Sequence, residues 1–489
     1  MNALASRRSV LLLGAALLGA TAAVVAVIGL LASARGAVVD ANVFVGSGGP
    51  VEANNSPSAG GNPANRDNVV VVSRVDRPGF SAALRWSMDG GRSWRRTSLP
   101  LPPGKDRPYA PDAAFAPDGT LYVTYVNLVG RGNTPENLWI VRSRDGGRTL
   151  SQPVRVAGEL SFQGRVAVDA RGMVHVTYLR AAAVGLLSLA PSSRIVATRS
   201  SDGGRTFSQP VFLSDRRRLR VGAASPVIDA DGDLVVLYED FKGDVRDFSN
   251  QPGPPWPEPF GLVITRSPDG GRTFSRGVEI ESNVVPTQRF LAFLPVFPSI
   301  APGPDGSLVV AWADGRNGDE DVFLRRSEDG RAWSAPVRVN DNPLGDGTAQ
   351  YLPQVGVAPD GRIDAVFLDR RRDPRNVKTD AFVAFSQDDG RSFENVRASS
   401  RSFDSRVGPS AASYLEPDLG SRLGLVSFDD VALPVWTDTR LGTQASARQD
   451  ILSARVKPGR SGTALLLLAG GLLIGGAVCL GLWRGLPRA

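Results

Sequence analysis

The 489-residue sequence contains one cysteine and one histidine. Cys479 lies in an apolar C-terminal run, so no internal disulfide can staple the region before it. A metal centre built from His and Cys lacks ligands, and a serine–histidine catalytic arrangement would have to use His175. That residue sits in the strand-like run Met173 to Tyr178 and is read as structural. Lys and Arg outnumber Asp and Glu by 56 to 49, but the arginines are scattered through loops. No dense basic run with interleaved aromatics occurs, which argues against nucleic acid as a partner. Glycine (54) and proline (36) are plentiful. They fall at turns between strand-like runs, which argues against a disordered low-complexity chain.

What the chain has in abundance is one eight-residue pattern. Ser143-Arg144-Asp145-Gly146-Gly147-Arg148-Thr149-Leu150 recurs as Ser87 to Trp94, Ser200 to Phe207, Ser267 to Phe274 and Ser386 to Phe393, with a copy one residue short from Ser327 to Trp333. A period of roughly 55 to 65 residues signals a repeat array and has to be read before any local motif. Each copy lies between alternating apolar runs, as the turn of a β-hairpin does. The glycines supply φ > 0, the Asp accepts backbone N–H bonds, and the terminal Trp, Phe or Leu anchors the turn in apolar packing. A second turn signal, ahead of the strong apolar strand of a unit, is clear at Pro117-Asp118-Gly119, Asp231-Gly232, Pro304-Asp305-Gly306 and Pro359-Asp360-Gly361. Four antiparallel strands per unit, repeated radially, make a propeller blade.

The pattern resembles the Asp-box, Ser-x-Asp-x-Gly-x-Thr/Ser-Trp/Phe, of the sialidase-like β-propellers, also called BNR repeats. The resemblance covers residues from about 50 to about 456. It implies an all-β propeller with the boxes on the face away from the ligand site, and it speaks to fold more than to activity, because non-enzymatic propellers also carry the box. Seven strong strands can be counted: 69–72, 121–126, 174–178, 234–238, 308–312, 363–367 and 432–436. The last unit runs through Asp450 to Val456 without a box and is one strand short. The surplus strand at Asn42 to Val45 can fill that place, closing the ring and removing an exposed edge. Seven blades are therefore expected over residues 41–456, with six as the alternative.

The two ends read as membrane or export elements. Ser6-Arg7-Arg8-Ser9 precedes an almost uncharged run from Val10 to Ala34, so residues 1–36 are an export signal, twin-arginine in style, or a retained signal anchor. Residues 463–483 carry no charge and are long enough to span a bilayer, with Arg484 and Arg488 beyond, so 457–489 reads as a transmembrane helix with a short basic tail. Both tips are then cytoplasmic and the propeller extracytoplasmic, at the cell membrane.

Candidate site residues follow from the face opposite the boxes. The longest loop, Asp240 to Phe260, is Pro-rich and carries Trp256, as a semi-rigid lid or partner surface would. Aromatic, acidic and basic residues alternate at four strand ends: Tyr238/Asp240/Lys242, Trp312/Asp314/Arg316, Phe367/Asp369/Arg371 and Trp436/Asp438/Arg440. Period 2 puts each trio on one side of its strand. They read either as a ring of structural ion pairs or as a basic, carboxylate-lined cup for an acidic sugar or peptide. The family resemblance implies three arginines on a substrate carboxylate, a Tyr nucleophile with a Glu partner, and an Asp acid/base. Its early Phe/Tyr-Arg-Ile-Pro motif is missing here; the nearest strings are Arg77-Pro78 and Arg107-Pro108-Tyr109. Carried over, it nominates Arg316, Arg371 and Arg440 for the clamp, Tyr351 or Tyr414 as nucleophile and Glu416 as its base. No organic cofactor is expected; calcium patterns occur at Asp229/Asp231/Asp233 and Asn340/Asp341/Asn342. The reading is a propeller that binds a glycan or protein partner, with an exo-glycosidase acting on terminal acidic sugars as the alternative.

Overall fold

A computed structural model describes residues 36–459 except 47, 131–132, 159, 182–183, 186–187, 190–192, 243–258, 286–296 and 410–418. Two compact units are distinguished. One comprises residues 1–39 with 457–489 and is described only at 36–39 and 457–459; the other is Asp40–Val456. The two terminal apolar segments lie outside the described residues. Among the described residues no helix is long and apolar enough to cross a membrane.

The larger unit is a ring of seven antiparallel blades. Blade 1 is built from Ala53–Asn62, Asn65–Arg77, Ser81–Ser87 and Arg95–Thr97; blade 2 from Pro108–Phe115, Leu121–Val129, Thr134–Ser143 and Val154–Ala157; blade 3 from Ser161–Val168, Val174–Arg180, Arg194–Ser200 and Val211–Phe212. Blade 4 comprises Val221–Ile228, Leu234–Asp240, Phe260–Ser267 and Val278–Val284; blade 5 Ser299–Pro302, Leu308–Asp314, Asp321–Ser327 and Val337–Arg338; blade 6 Gln350–Val357, Ile363–Asp369, Lys378–Ser386 and Glu394–Arg397. The second strand of each blade lies under both neighbouring blades. It therefore reads as an unbroken apolar run rather than an alternating one, and Val69 to Val72 and Leu308 to Ala311 are all fully buried.

Blade 7 takes Gly424–Ser427, Ala432–Asp438 and Asp450–Ser453 from the end of the unit and Val43–Gly46 from its beginning. Val43 pairs with Ser453 and Phe44 with Leu452. The Asp40 amide adds a bond to the Arg455 carbonyl at 2.9 Å. The seven-blade count and the strand borrowed from the N-terminal side are thus as the repeat grammar predicts. The first strands touch one another in order around the axis, and the first strand of blade 7 touches that of blade 1, so the ring is closed.

The first strands are not regular. In blades 1, 2, 3, 4 and 6 the register shifts at one residue with positive φ: Ser56 (52°), Ala110 (48°), Gln163 (52°), Ala223 (54°) and Leu352 (55°). Left-handed backbone at non-glycine residues costs on the order of 1 kcal/mol or more each and persists only where the surroundings enforce it. A bulge also re-aims the side chains around it. Here it recurs beside the axis.

Candidate functional site

Just past the bulge in blades 1, 2, 3, 4 and 6, and at the matching place in the unbulged strand of blade 5, the inner strands present one residue at the same register: Ser58, Asp112, Arg165, Ser225, Ser299 and Gln354 in blades 1 to 6. With Arg422 to Leu425 of blade 7 they enclose an axial cavity of about 130 Å³, room for roughly four waters or a small ionic group. Asp112 is its one carboxylate. It accepts from Arg165 Nη1 at 2.7 Å, Ser58 Oγ at 2.9 Å and the Val166 amide at 3.1 Å, with Arg422 Nη1 at 3.8 Å. Arg422 donates its other Nη to the Pro111 carbonyl, and its buried Nε has no partner among the described residues. Burial and the neighbouring Arg165 push the Arg422 pKa down, against the pull of Asp112; a guanidinium nonetheless keeps its charge. Phe297 covers the pair, its ring centroid 4.6 Å from the Arg165 guanidinium carbon and 6.0 Å from that of Arg422. Two guanidinium groups thus face one carboxylate, and the lining carries a net positive charge.

A second polar cluster adjoins it. Tyr109 Oη donates to Asp76 Oδ1 at 2.7 Å, while Oδ2 accepts from Asn55 Nδ2 at 2.9 Å and from Arg74 Nε and Nη2 at 3.1 and 3.0 Å. The edge of Phe80 meets the Tyr109 ring at 5.2 Å. The charge of Arg74 contributes to the depression of Arg422, so the clusters are electrostatic neighbours. The pair sets a phenol O–H against a carboxylate that already accepts from Arg74 and Asn55.

The strand-end trios are arranged differently. Asp314, Asp369 and Asp438 are fully buried, and each accepts the backbone amide two residues on at 2.8 to 2.9 Å. Each also binds the guanidinium of that same residue: Arg316 Nε lies 2.8 Å from Asp314 Oδ2, Arg371 Nε 2.7 Å from Asp369 Oδ2, and Arg440 Nη2 2.7 Å from Asp438 Oδ2. Trp312 and Trp436 donate to the same carboxylates at 2.9 and 3.1 Å. The arginines then reach outward to fourth strands or inter-blade connections, Arg316 to Asn283 O, Arg371 to Asp341 and Asn395, and Arg440 to Ser400 and Asn42. Burial pushes the Asp369 carboxyl up to about 6 against the pull of Arg371. In blade 4, Asp240 accepts the Lys242 amide at 3.1 Å and pairs with Arg218. Tyr351 is buried with the Arg370 guanidinium 4.7 Å from its ring centroid. Trp256, Tyr414 and Glu416 lie outside the described residues. Asp229 accepts the amides of Asp231 and Asp233 and pairs with Arg266, while Asn340 Nδ2 is shared among Asp321, Asn342 and Gln350. Among the described residues no group of three or more His, Cys, Asp or Glu side chains could hold a metal.

The opposite face is set by the repeat. Each box joins the third and fourth strands of blades 1 to 6. In blade 1, Ser87 Oγ donates to Asp89 Oδ1 at 2.6 Å and accepts the Gly91 amide at 2.9 Å; Asp89 accepts the amides of Arg92 and Ser93, both at 2.9 Å, and the Ser93 hydroxyl at 2.5 Å. The same bonds recur at Asp202 with Thr206 and at Asp269 with Thr273. The box is also a latch between blades. Asn68, Arg142, Arg199 and Arg455 each donate to a box glycine carbonyl of the next blade in the ring, at 2.6 to 3.1 Å. The fold is a closed seven-bladed propeller whose Asp-box turns lie on one face.

No family model matches the chain, and no curated protein sequence does. Among solved structures, this Asp-box propeller is similar to a protein of unknown function from Dyadobacter fermentans, with 13% identity over 87% of this chain and 100% of that one, at a TM-score of 0.49. It is similar to a Hadza microbial sialidase, with 16% identity over 80% and 74% at 0.44. It is also similar to a Penicillium chrysogenum α-L-arabinanase complexed with arabinobiose, with 15% identity over 73% and 95% at 0.42. The likenesses are of overall fold.

Sequence reasoning did not find the axial residues of the propeller. Their signal is weak but present: once the repeats are aligned by register, each of the first six inner strands carries one polar residue at one position, and only Asp112 and Arg165 are charged there. Arg74 and Asp76 are likewise a charge pair just after the apolar run Val69 to Val72.

Proposed function

We propose that the propeller binds the carboxylate-bearing group of an acidic glycan at its axis, with Arg165 and Arg422 as the anion-holding groups. What carries the reading is the imbalance inside the cavity: two guanidinium groups, one with an unused buried N–H, share the single carboxylate Asp112. An incoming carboxylate gains charge-assisted, two-pronged hydrogen bonds there at low dielectric. Arg316, Arg371 and Arg440 are left out of this site because each is taken up by the aspartate of its own strand. The ligand approaches from the face opposite the boxes, and the terminal apolar segments tether the propeller to the extracytoplasmic side of a membrane.

The second reading, hydrolysis of a terminal acidic sugar, is favoured by the Tyr109–Asp76 pair. Calorimetry with free sialic acid and with glucuronic acid tests binding: Arg422→Met should weaken it by ten- to a hundredfold, the loss of one charged hydrogen bond of about 1.5–3 kcal/mol. A fluorogenic sialoside tests turnover, which on the second reading should fall with Tyr109→Phe and persist with Tyr351→Phe. Wild-type protein that binds neither acid rules out the first reading, and wild-type protein that turns over no sialoside rules out the second.

A further inference from the structure

Blade 4 breaks the grammar of the ring in several places at once. After the box, blades 2, 3 and 5 read Ser-x-Pro-Val, with Gln152-Pro153, Gln209-Pro210 and Ala335-Pro336; blade 4 reads Ser275-Arg276-Gly277-Val278. At the end of its second strand Tyr238 stands where blades 5 and 7 have Trp312 and Trp436, and Lys242 where blades 5 to 7 have arginine. A Cβ on Gly277 would lie 2.7 Å from Tyr238 Oη and 2.8 Å from a Val263 methyl, so the tyrosine occupies space that a proline would need. Tyr238 is fully buried, and its hydroxyl has no hydrogen-bond partner among the described residues.

The result is a groove of about 540 Å³ between the blade 3–4 connection and the fourth strand of blade 4, within the size range of small-ligand sites. Its charges can be apportioned. Asp240 and Glu279 are matched by Arg218 and Lys242. Asp215 remains against Arg217 and Arg276, with Arg276 Nε 3.9 Å from Asp215 Oδ2 and its side chain 79% exposed. One positive charge is therefore uncompensated, carried on two forked donors at the rim. Val278, 60% exposed, gives the same groove an apolar wall.

We infer that this groove is a second binding site, separate from the axis, for a carboxylate or sulfate carried on a saccharide, with Arg217 and Arg276 holding the anion and Val278 meeting the sugar face. The site lies where blade 4 carries Arg276-Gly277 in place of the Gln-Pro or Ala-Pro of blades 2, 3 and 5.

The test uses the full chain in detergent with three tetrasaccharides: a galacturonate tetramer, a sulfated galactose tetramer and a neutral galactose tetramer. At least one anionic tetramer should bind and the neutral one should not; which anionic tetramer binds decides between carboxylate and sulfate. Arg217→Ser with Arg276→Gln, the latter the residue blades 2 and 3 carry, should weaken binding at least tenfold and flatten its salt dependence, without moving the melting temperature, since both side chains are exposed. Arg422→Met removes only the axial component, so that variant should still bind one anionic tetramer per chain and should lose it when the double substitution is added. The inference is overturned if neither anionic tetramer binds, if the neutral tetramer binds as well, or if the double variant keeps wild-type affinity. Loss in the Arg422 variant alone would place the ligand at the axis instead.

Discussion

At the scale of single residues, the box aspartates show how a turn motif is kept without chemistry. The hydroxyls of Thr206 and Ser200 and the Thr206 amide hold the Asp202 carboxyl far below its ordinary range, because all of these bonds favour the charged form. Gly91 shows the second constraint. Its φ of +84° suits glycine, and a Cβ there would lie 2.9 Å from a Leu433 methyl of blade 7. The opposite electrostatic case is Glu239, whose carboxyl burial pushes up from 4.5 to about 8. The folded chain then holds a proton that the unfolded chain has lost, so stability falls as pH rises from about 4.5 to about 8. Glu239→Gln should match wild type at pH 4 and exceed it at pH 9 by up to about 5 kcal/mol, since each tenfold difference in proton affinity between folded and unfolded chain is worth about 1.4 kcal/mol. Urea denaturation midpoints across that range check this; parallel curves for the two proteins would contradict it.

At the scale of elements, the borrowed strand Val43–Gly46 is the outermost of blade 7 and covers the edge of Asp450–Ser453. Deleting residues 41–46 should lower the melting temperature and leave that edge free to pair with another chain, so the truncated protein should also aggregate in a concentration-dependent way. Light scattering and a melting curve measure both. Most of this level was legible beforehand. The box predicts a tight turn because Ser, Asp and two glycines at fixed spacing satisfy one local set of bonds, and the strong strands are apolar throughout because two neighbours cover them. The axial site was not legible in the same way. Asp112, Arg165 and Arg422 come from different blades and meet only through ring closure, and the bulges at Ala110 and Gln163 are marked in the sequence only by the adjacent Pro111 and Gly164, residue types too common in this chain to single them out. The strand-end trios were found because their spacing is local, but spacing alone could not say that each arginine folds back onto its own aspartate.

At the scale of the whole molecule, the proposed tether has a direct check. Removing residues 463–483 should release the propeller into the carbonate-soluble fraction if this segment is the anchor; retention would assign anchoring to the N-terminal run. Either outcome leaves the propeller itself intact, because its circular contacts are all made within Asp40–Val456.

The clasp in blade 7 joins strands that leave the ribosome with all the other blades between them. Six sheets can assemble in turn as they emerge, but the seam between Phe44 and Leu452 must wait until the last strands of the ring exist. A nascent or prematurely terminated polypeptide is thereby marked as unfinished by an open arc of sheets, a state that quality-control proteases can recognise and the mature circle does not display.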